Sequence, residues 1–225
     1  GAAVELASPD GNFVATVGVQ DMGDTEKALT YKIDWRGHPL ITPSRLGFDL
    51  QEPGALRGGF KILDTTISSH DSTWTPVYGE RSTVRDHYNE ATIALRSDAA
   101  AAIEIDLTFR CYDTGVAFQI VLNRQNGGAI NIEREHTEFR FAEDYPAWTT
   151  NRAQGEYAKR PLSQVGKEAE RPMLVQLGDA GYAAVGEAAL VDYARMKFAA
   201  LPSGQTGLKS MLAGPVTADS TLKTP

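Results

Sequence analysis

The chain has 225 residues, with 22 Lys and Arg against 29 Asp and Glu, which gives a formal net charge of −7 at pH 7. A hydrophobic fraction of 42% is ordinary for a globular protein and excludes wholesale disorder. Neither charge sign forms a long block, so nucleic acid is not an expected partner, and no run approaches the roughly 18 apolar residues of a membrane-spanning helix.

Alternation of apolar and polar residues with a period of two is the dominant pattern. It is clearest at Leu29, Tyr31, Ile33 and Trp35, which are interleaved with polar residues and predict a half-buried antiparallel strand with Trp35 in the core. Weaker strands are predicted, in chain order, at 13–19, 60–63, 91–95, 137–141, 173–177 and 182–185.

A β-hairpin is predicted in the middle of the chain. Apolar residues alternate over 103–109 and again over 116–122, and Asp113-Thr114-Gly115 supplies the turn between them. The single cysteine, Cys111, lies in the first of these strands and is expected to be buried and unreactive. One cysteine excludes an intrachain disulfide and a multi-thiolate metal site.

Helical signals are weak. The polar stretch 151–171 predicts a long loop, and the best helix candidate is the short segment 188–193. Residues 213–225 have the composition of a linker. Because no alternation of strands and helices is present, two antiparallel sheets packed on each other are the expected architecture.

Six segments in chain order resemble the amino-terminal domain of family 97 glycoside hydrolases, whose characterised members are α-glucosidases and α-galactosidases of the bacterial envelope. The run from Tyr78 to Glu90 is the most specific of them. The segments are SPDGN at 8–12, SHDSTW at 69–74, VYGERSTVRDHYNE at 77–90, FRCYDTGVAF at 109–118, EFRF at 138–141 and EAALVDY at 187–193.

The resemblance implies an all-β antiparallel super-sandwich of the galactose-mutarotase-like type. The sandwich would span residues 1–212, and 213–225 would begin a linker to an absent (β/α)₈ barrel that carries the catalytic carboxylates. We therefore nominate no catalytic residue and expect this chain to be inactive alone. In the intact protein the expected partners are its own barrel and an α-glucoside or α-galactoside, and the expected location is periplasmic or secreted.

The resemblance also implies one metal ligand. In the family, the glutamate that opens the Glu-Ala-Ala-Leu motif helps to bind calcium beside the substrate, and the matching residue is Glu187. One carboxylate is not a calcium site, since the ion takes six to eight oxygen ligands. The isolated domain is expected to bind calcium weakly or not at all. In the alternative interpretation, Glu187 only favours the dipole of a helix over 188–193.

Two other functions are compatible with the sequence. A mutarotase-like aldose epimerase needs a histidine acid and a carboxylate base, for which His70, His87 and His136 are candidates, with Glu90, Glu135 and Glu138 nearby. An independent carbohydrate-binding module needs a platform of aromatic side chains. Its candidates are Trp74, Tyr78, Tyr145, Trp148 and Tyr157. The charged run 78–90 is interpreted as a structural network rather than an active site.

Overall fold

The computed structural model describes residues 3–214 and 222–223, and β-strands dominate this part of the chain. Three single-turn 3₁₀-helices lie between strands, at Asp98–Ala100, Leu162–Gln164 and Gly178–Ala180. In chain order the strands are β1 Ala3–Ala7, β2 Phe13–Met22, β3 Thr25–Trp35, β4 His38–Leu46, β5 Phe48–Leu50, β6 Ala55–Leu56, β7 Phe60–Trp74, β8 Val84–Ser97, β9 Ile103–Tyr112, β10 Gly115–Arg124, β11 Asn131–Glu135, β12 Glu138–Arg140, β13 Pro146–Thr149, β14 Ala158–Pro161, β15 Met173–Gln176, β16 Tyr182–Val185, β17 Met196–Ala200, β18 Gly207–Leu212 and β19 Leu222–Lys223.

The strands form one large sheet and three smaller ones. The large sheet has the order β1-β2-β3-β4-β12-β18-β17. The four-stranded sheets have the orders β10-β9-β8-β7, β19-β11-β5-β6 and β14-β13-β15-β16. Neighbouring strands are antiparallel throughout these sheets, as the alternating sequence pattern predicts.

One part of the core lies between the large sheet and the β10-β9-β8-β7 sheet. On β3 the alternation buries Leu29, Tyr31 and Ile33. The Tyr31 ring meets Phe109 on β9, with ring centroids 5.7 Å apart, and Phe118 on β10 at 5.2 Å. Since these rings come from two different sheets, the sheets pack face to face, which confirms the predicted antiparallel β-sandwich.

The predicted hairpin is confirmed as β9 and β10. Tyr112 pairs with Gly115, so the connecting turn is Asp113-Thr114. Cys111 on β9 is fully buried, and its thiol donates a hydrogen bond to the Leu6 carbonyl at 3.4 Å. Burial raises the pKa of Cys111 to about 11, so the nucleophilic thiolate is scarce at neutral pH, as expected for a structural cysteine.

Three local predictions need correction. Trp35 is half-buried at the end of β3, not in the core. The helix predicted at 188–193 does not form, since Ala189 and Asp192 have φ values of 49° and 51°, in the left-handed region that interrupts a right-handed helix. The loop predicted at 151–171 contains β14 and a 3₁₀ turn, because pairing with β13 makes a strand of Ala158–Pro161.

The boundary predicted at residue 212 stays a prediction. Much of the predicted linker, residues 215–221 and 224–225, lies outside the described residues. Within it, β19 pairs with β11, where Ile132 lies opposite Leu222. In the described ranges, no helix is long and apolar enough to cross a membrane.

Candidate functional site

Glu187 follows β16 and ties this strand to the start of β17. Its side chain is 14% exposed. The Met196 backbone N–H donates to both carboxylate oxygens, at 3.0 and 2.9 Å, and Arg171 Nε lies 2.8 Å from Oε2. Glu187 is therefore a fixed, partly buried carboxylate with an ion-pair partner in its own domain.

A second buried carboxylate, Glu170, lies beside this pair. Its side chain is 7% exposed and approaches Arg195 at 3.3 Å, Arg171 at 3.5 Å and Lys197 at 3.6 Å. We call Glu170, Arg171, Glu187, Arg195 and Lys197 the charged cluster. Two carboxylates and three cations compensate one another there, which is the arrangement that buried charges require.

The cluster also borders Glu135 at the end of β11. The Tyr193 hydroxyl donates to Glu135 Oε2 at 2.8 Å, and the Thr137 hydroxyl donates to Oε1. Burial raises the pKa of Glu135 above its usual range, and the Glu187 charge raises it further, while the two hydroxyl donors oppose these effects. Burial also raises the pKa of Tyr193, which stays protonated and remains a donor.

The raised pKa of Glu135 predicts a pH-dependent stability. A carboxyl group whose pKa is higher in the folded state stabilises the fold fully below its unfolded pKa of 4.5 and loses this contribution as pH rises through the folded value. The neutral substitution Glu135→Gln should therefore become progressively more favourable, relative to the unsubstituted protein, as pH rises above 4.5.

Urea unfolding of both proteins across this pH range measures the difference. Glu133→Gln is the control, since Glu133 is an exposed neighbour on the same strand, and its effect should not vary with pH in this way. A pH-independent difference for Glu135→Gln would contradict the assignment.

The described residues do not make a calcium site by themselves. Calcium needs six to eight oxygen ligands, and Glu187 offers one carboxylate whose oxygens already accept two contacts from Met196 and one from Arg171. The Arg171 guanidinium also repels a cation. Residues 3–214 and 222–223 hold no group of three or more His, Cys, Asp and Glu side chains that could bind a metal ion.

In the described part of the chain, none of the three predicted histidines hydrogen-bonds one of the glutamates proposed with it, and only His136 hydrogen-bonds a carboxylate. His136 Nε2 lies 2.8 Å from Asp49, and His70 Nε2 lies 2.8 Å from the Ser72 hydroxyl and 3.7 Å from Asp86. His87 lies opposite Asp71 on the β7–β8 ladder.

The carboxylates suggested for epimerisation also have non-histidine partners. Glu90 pairs with Arg110 at 2.6 Å and Glu138 with Arg140 at 2.7 Å, while Glu135 accepts from Tyr193 and Thr137. The structure thus brings together no predicted histidine and glutamate as a hydrogen-bonded acid–base pair among its described residues.

The charged run 78–90 is joined to the strands on either side of it. Arg85 on β8 makes two contacts of 2.7 Å with Asp71 on β7, and Glu90 binds Arg110 on β9. These partners lie outside the run itself. Its charges therefore link three strands of one sheet, which favours the structural interpretation.

The five candidate aromatic residues do not form one platform. Trp74 and Tyr78 belong to the exposed β7–β8 hairpin. Trp148 lies on the β14-β13-β15-β16 sheet, with Lys159 Nζ 4.7 Å from its ring centroid and the Tyr182 ring at 5.8 Å. Tyr145 lies elsewhere, in a groove beside Trp35. Tyr157 is 60% exposed and directly precedes β14.

Several residues near Glu187 could not be assigned to its surroundings from the sequence pattern. Glu170 and Arg171 lie in the stretch predicted as a loop, and Arg195 lies 25 positions after Glu170. The sequence feature that indicates a charged network near Glu187 is the charge-rich segment from Lys167 to Arg171.

The family model described as Glycosyl-hydrolase 97 N-terminal matches residues 6–225. The chain belongs to this family. A retaining α-galactosidase of Bacteroides thetaiotaomicron is 26% identical over 225 residues, a match that covers 92% of this chain and 32% of the relative. Both comparisons confirm the resemblance noted in the sequence.

Solved structures agree with the assignment. A glycoside hydrolase family 97 enzyme from Pseudoalteromonas sp. strain K8, in complex with acarbose, superposes with a TM-score of 0.86 at 26% identity, covering 98% of this chain and 33% of that one. A substituted variant of a family 97 enzyme from the same strain, in complex with panose, gives a TM-score of 0.87, 26% identity and the same coverage.

A β-arabinopyranosidase matches with a TM-score of 0.83 at 22% identity, covering 98% of this chain and 38% of that one, and at this identity it shows the fold alone. The chain spans about a third of the length of the curated relative and of the family 97 structures that it matches.

Proposed function

We propose that the chain is the non-catalytic amino-terminal domain of an α-glycosidase, acting on α-glucosides or α-galactosides, and that it supports the active site of a separate catalytic domain. The observation that carries this proposal is the family match over residues 6–225 combined with coverage of only a third of the relatives. The acarbose and panose complexes of the Pseudoalteromonas enzymes support a carbohydrate substrate. A periplasmic or secreted location belongs to the same proposal.

The surface beside Glu187 supports a buttressing role. Leu190 and Val191 lie three and four positions after Glu187, and they are 43% and 73% exposed. Exposed apolar side chains beside a partly buried charged cluster are suited to burial against another domain. We therefore place the contact with the catalytic domain at the segment 187–191.

Within this proposal, Glu187 contributes one carboxylate to a calcium ion whose other ligands come from the catalytic domain. The ion has to compete with Arg171 for Glu187 Oε2, so tight binding needs the additional oxygen ligands. The chain alone should bind calcium weakly or not at all.

Glu187→Gln in the longer enzyme tests the calcium role. The substitution retains an acceptor for Met196 N–H but removes the negative charge, so the calcium concentration for half-maximal α-glycosidase activity should rise by about tenfold or more. The measurement is nitrophenyl α-glycoside hydrolysis against free calcium.

Glu168→Gln is the control, since the Glu168 side chain is 70% exposed and contacts Lys197 at 3.6 Å at the edge of the charged cluster. It should leave the calcium dependence unchanged. An unchanged calcium dependence for Glu187→Gln as well would remove Glu187 from the proposed metal site.

A further inference from the structure

A groove of about 320 Å³ lies near the start of β16, whereas Glu187 lies just after its end. It forms where the β3–β4 turn, the loop between β12 and β13, and the β15–β16 turn come together. This volume is at the lower end of the range for small-molecule pockets and accommodates a single sugar ring. Its lining includes Trp35, His38, Leu40, Glu143, Tyr145 and Leu177.

The lining of the groove includes two aromatic rings, those of Trp35 and Tyr145. Trp35 is half-buried, with the Arg36 guanidinium 4.8 Å from its ring centroid, and the ring of Tyr145 packs edge-on against Phe141 at 6.2 Å. The Arg36 guanidinium thus lies over one face of the Trp35 ring, and Phe141 packs against Tyr145, while both rings line the groove. Rings held in place lose little entropy when a ligand packs on them.

The polar groups of the groove are free to bind a ligand. In the described part of the chain, the side chains of Trp35, His38, Glu143 and Tyr145 have no hydrogen-bond or ion-pair partner for their polar atoms. The charged cluster beside Glu187 differs, since its carboxylates are already paired. Burial raises the pKa of Tyr145, and the Glu143 charge adds to the effect.

The chemistry of the lining selects a neutral sugar. A pyranose has an apolar C–H face that packs on aromatic rings and a rim of hydroxyl groups that both donate and accept. Glu143 accepts, Trp35 Nε1 donates, and the His38 imidazole and the Tyr145 hydroxyl can do both. The Glu143 carboxylate and the net charge of −7 disfavour an anionic ligand.

We propose that this groove is a non-catalytic binding site for one pyranose unit of a neutral α-linked oligosaccharide. The choice of α-linked sugars rests on the proposed function. The argument that the groove binds a sugar ring rests on its lining and is independent of that function. Because the groove and Glu187 lie at opposite ends of β16, it would hold a sugar away from the active site. The domain would then contribute carbohydrate binding as well as support.

The test is a titration of the 225-residue chain with panose, as an α-glucoside, and with melibiose, as an α-galactoside. Calorimetry and the NMR signal of the Trp35 indole N–H report binding. We expect saturable binding of at least one sugar with a Kd on the order of 1 mM, equivalent to about −4 kcal/mol. The sugar that binds more tightly identifies the preferred class.

Substitutions then locate the site. Glu143→Gln and Tyr145→Phe each remove one polar contact and keep the shape of the side chain, so each should weaken binding by about threefold or more. Trp35→Ala should abolish measurable binding, and thermal unfolding of this variant checks that the fold persists. The matched controls are Glu80→Gln and Trp74→Ala in the exposed β7–β8 hairpin, which should bind like the unsubstituted chain.

Two results would overturn the proposal. One is no saturable response to either sugar at concentrations about twentyfold above that Kd. The other is binding that Glu143→Gln and Tyr145→Phe leave unchanged, which would place the sugar elsewhere. Neither result bears on the catalytic role of the longer enzyme, which is measured separately as glycoside hydrolysis.

Discussion

Phe109→Ala is expected to lower the free energy of unfolding by about 4 kcal/mol. Phe109 is fully buried on β9 and contacts the rings of Tyr31 at 5.7 Å and Phe118 at 5.2 Å. Its removal leaves a cavity at the interface of two sheets, and the strands around it are fixed by their ladders and cannot collapse into the space. Urea unfolding followed by circular dichroism measures the effect.

Two further substitutions serve as controls for this prediction. Leu63→Ala on β7 removes an apolar side chain that is 54% exposed and should cost less than about 1 kcal/mol. Phe109→Leu keeps most of the buried volume and should cost much less than Phe109→Ala. A loss for Phe109→Ala as small as that for Leu63→Ala would contradict face-to-face packing of the two sheets at this point.

Glu170→Ala should destabilise the domain by about 3 kcal/mol, the second largest effect. The 7% exposed carboxylate lies within 3.6 Å of Arg171, Arg195 and Lys197. Its removal leaves these three cations close together, and among the described residues only Glu187 and the exposed Glu168 remain as partners for Arg171 and Lys197. Because Arg195 is 42% exposed, water screens part of the repulsion, so the expected loss lies at the lower end of the range for buried ion pairs.

The neighbouring residue provides the control for Glu170. Glu168 contacts the same Lys197, but its side chain is 70% exposed, so Glu168→Ala should change stability by less than about 0.5 kcal/mol. High salt should narrow the difference between the two variants only slightly, since the contacts of Glu170 are largely removed from solvent. Equal effects of both substitutions would show that the charged cluster is solvated.

The sequence predicts strands well where one face is buried and the other is not. On β9 the alternation matches the buried residues closely, because only a half-buried strand imposes a period of two on its sequence. On β3 the match is partial, since Thr30 is also buried and Trp35 is not in the core. β7 shows the limit of this signal. The sequence predicts a strand only at 60–63, while the structure extends it to Trp74, because the outer part is an exposed hairpin and no buried face constrains its residues.

Short strands that are held only by pairing with a neighbouring strand cannot be predicted from alternation of apolar and polar residues. β14 has no buried apolar residue, and its position depends on four residues of β13 that lie opposite it. The failed helix at 188–193 has a similar cause. Its residues favour a helix locally, but the contacts of Glu187 with Met196 and of Tyr193 with Glu135 hold the segment in an irregular path.

Of the candidate site, the sequence predicts Glu187 but not the residues that surround it. Glu187 is found through the family motif, since nothing in composition or spacing distinguishes it from other glutamates. Its neighbours Glu170 and Arg195 come from distant parts of the chain and meet only in the folded state. The same is true of the groove, because Trp35 and Tyr145 are about half of the chain apart in sequence and are brought together only by the fold.

Hydrolysis of nitrophenyl α-glucoside and α-galactoside, with and without calcium, by this chain and by the longer enzyme tests the central claim most directly. If the chain is a supporting domain, only the longer protein hydrolyses either substrate. Activity of the 225-residue chain alone would place a catalytic carboxylate pair within it and contradict the account.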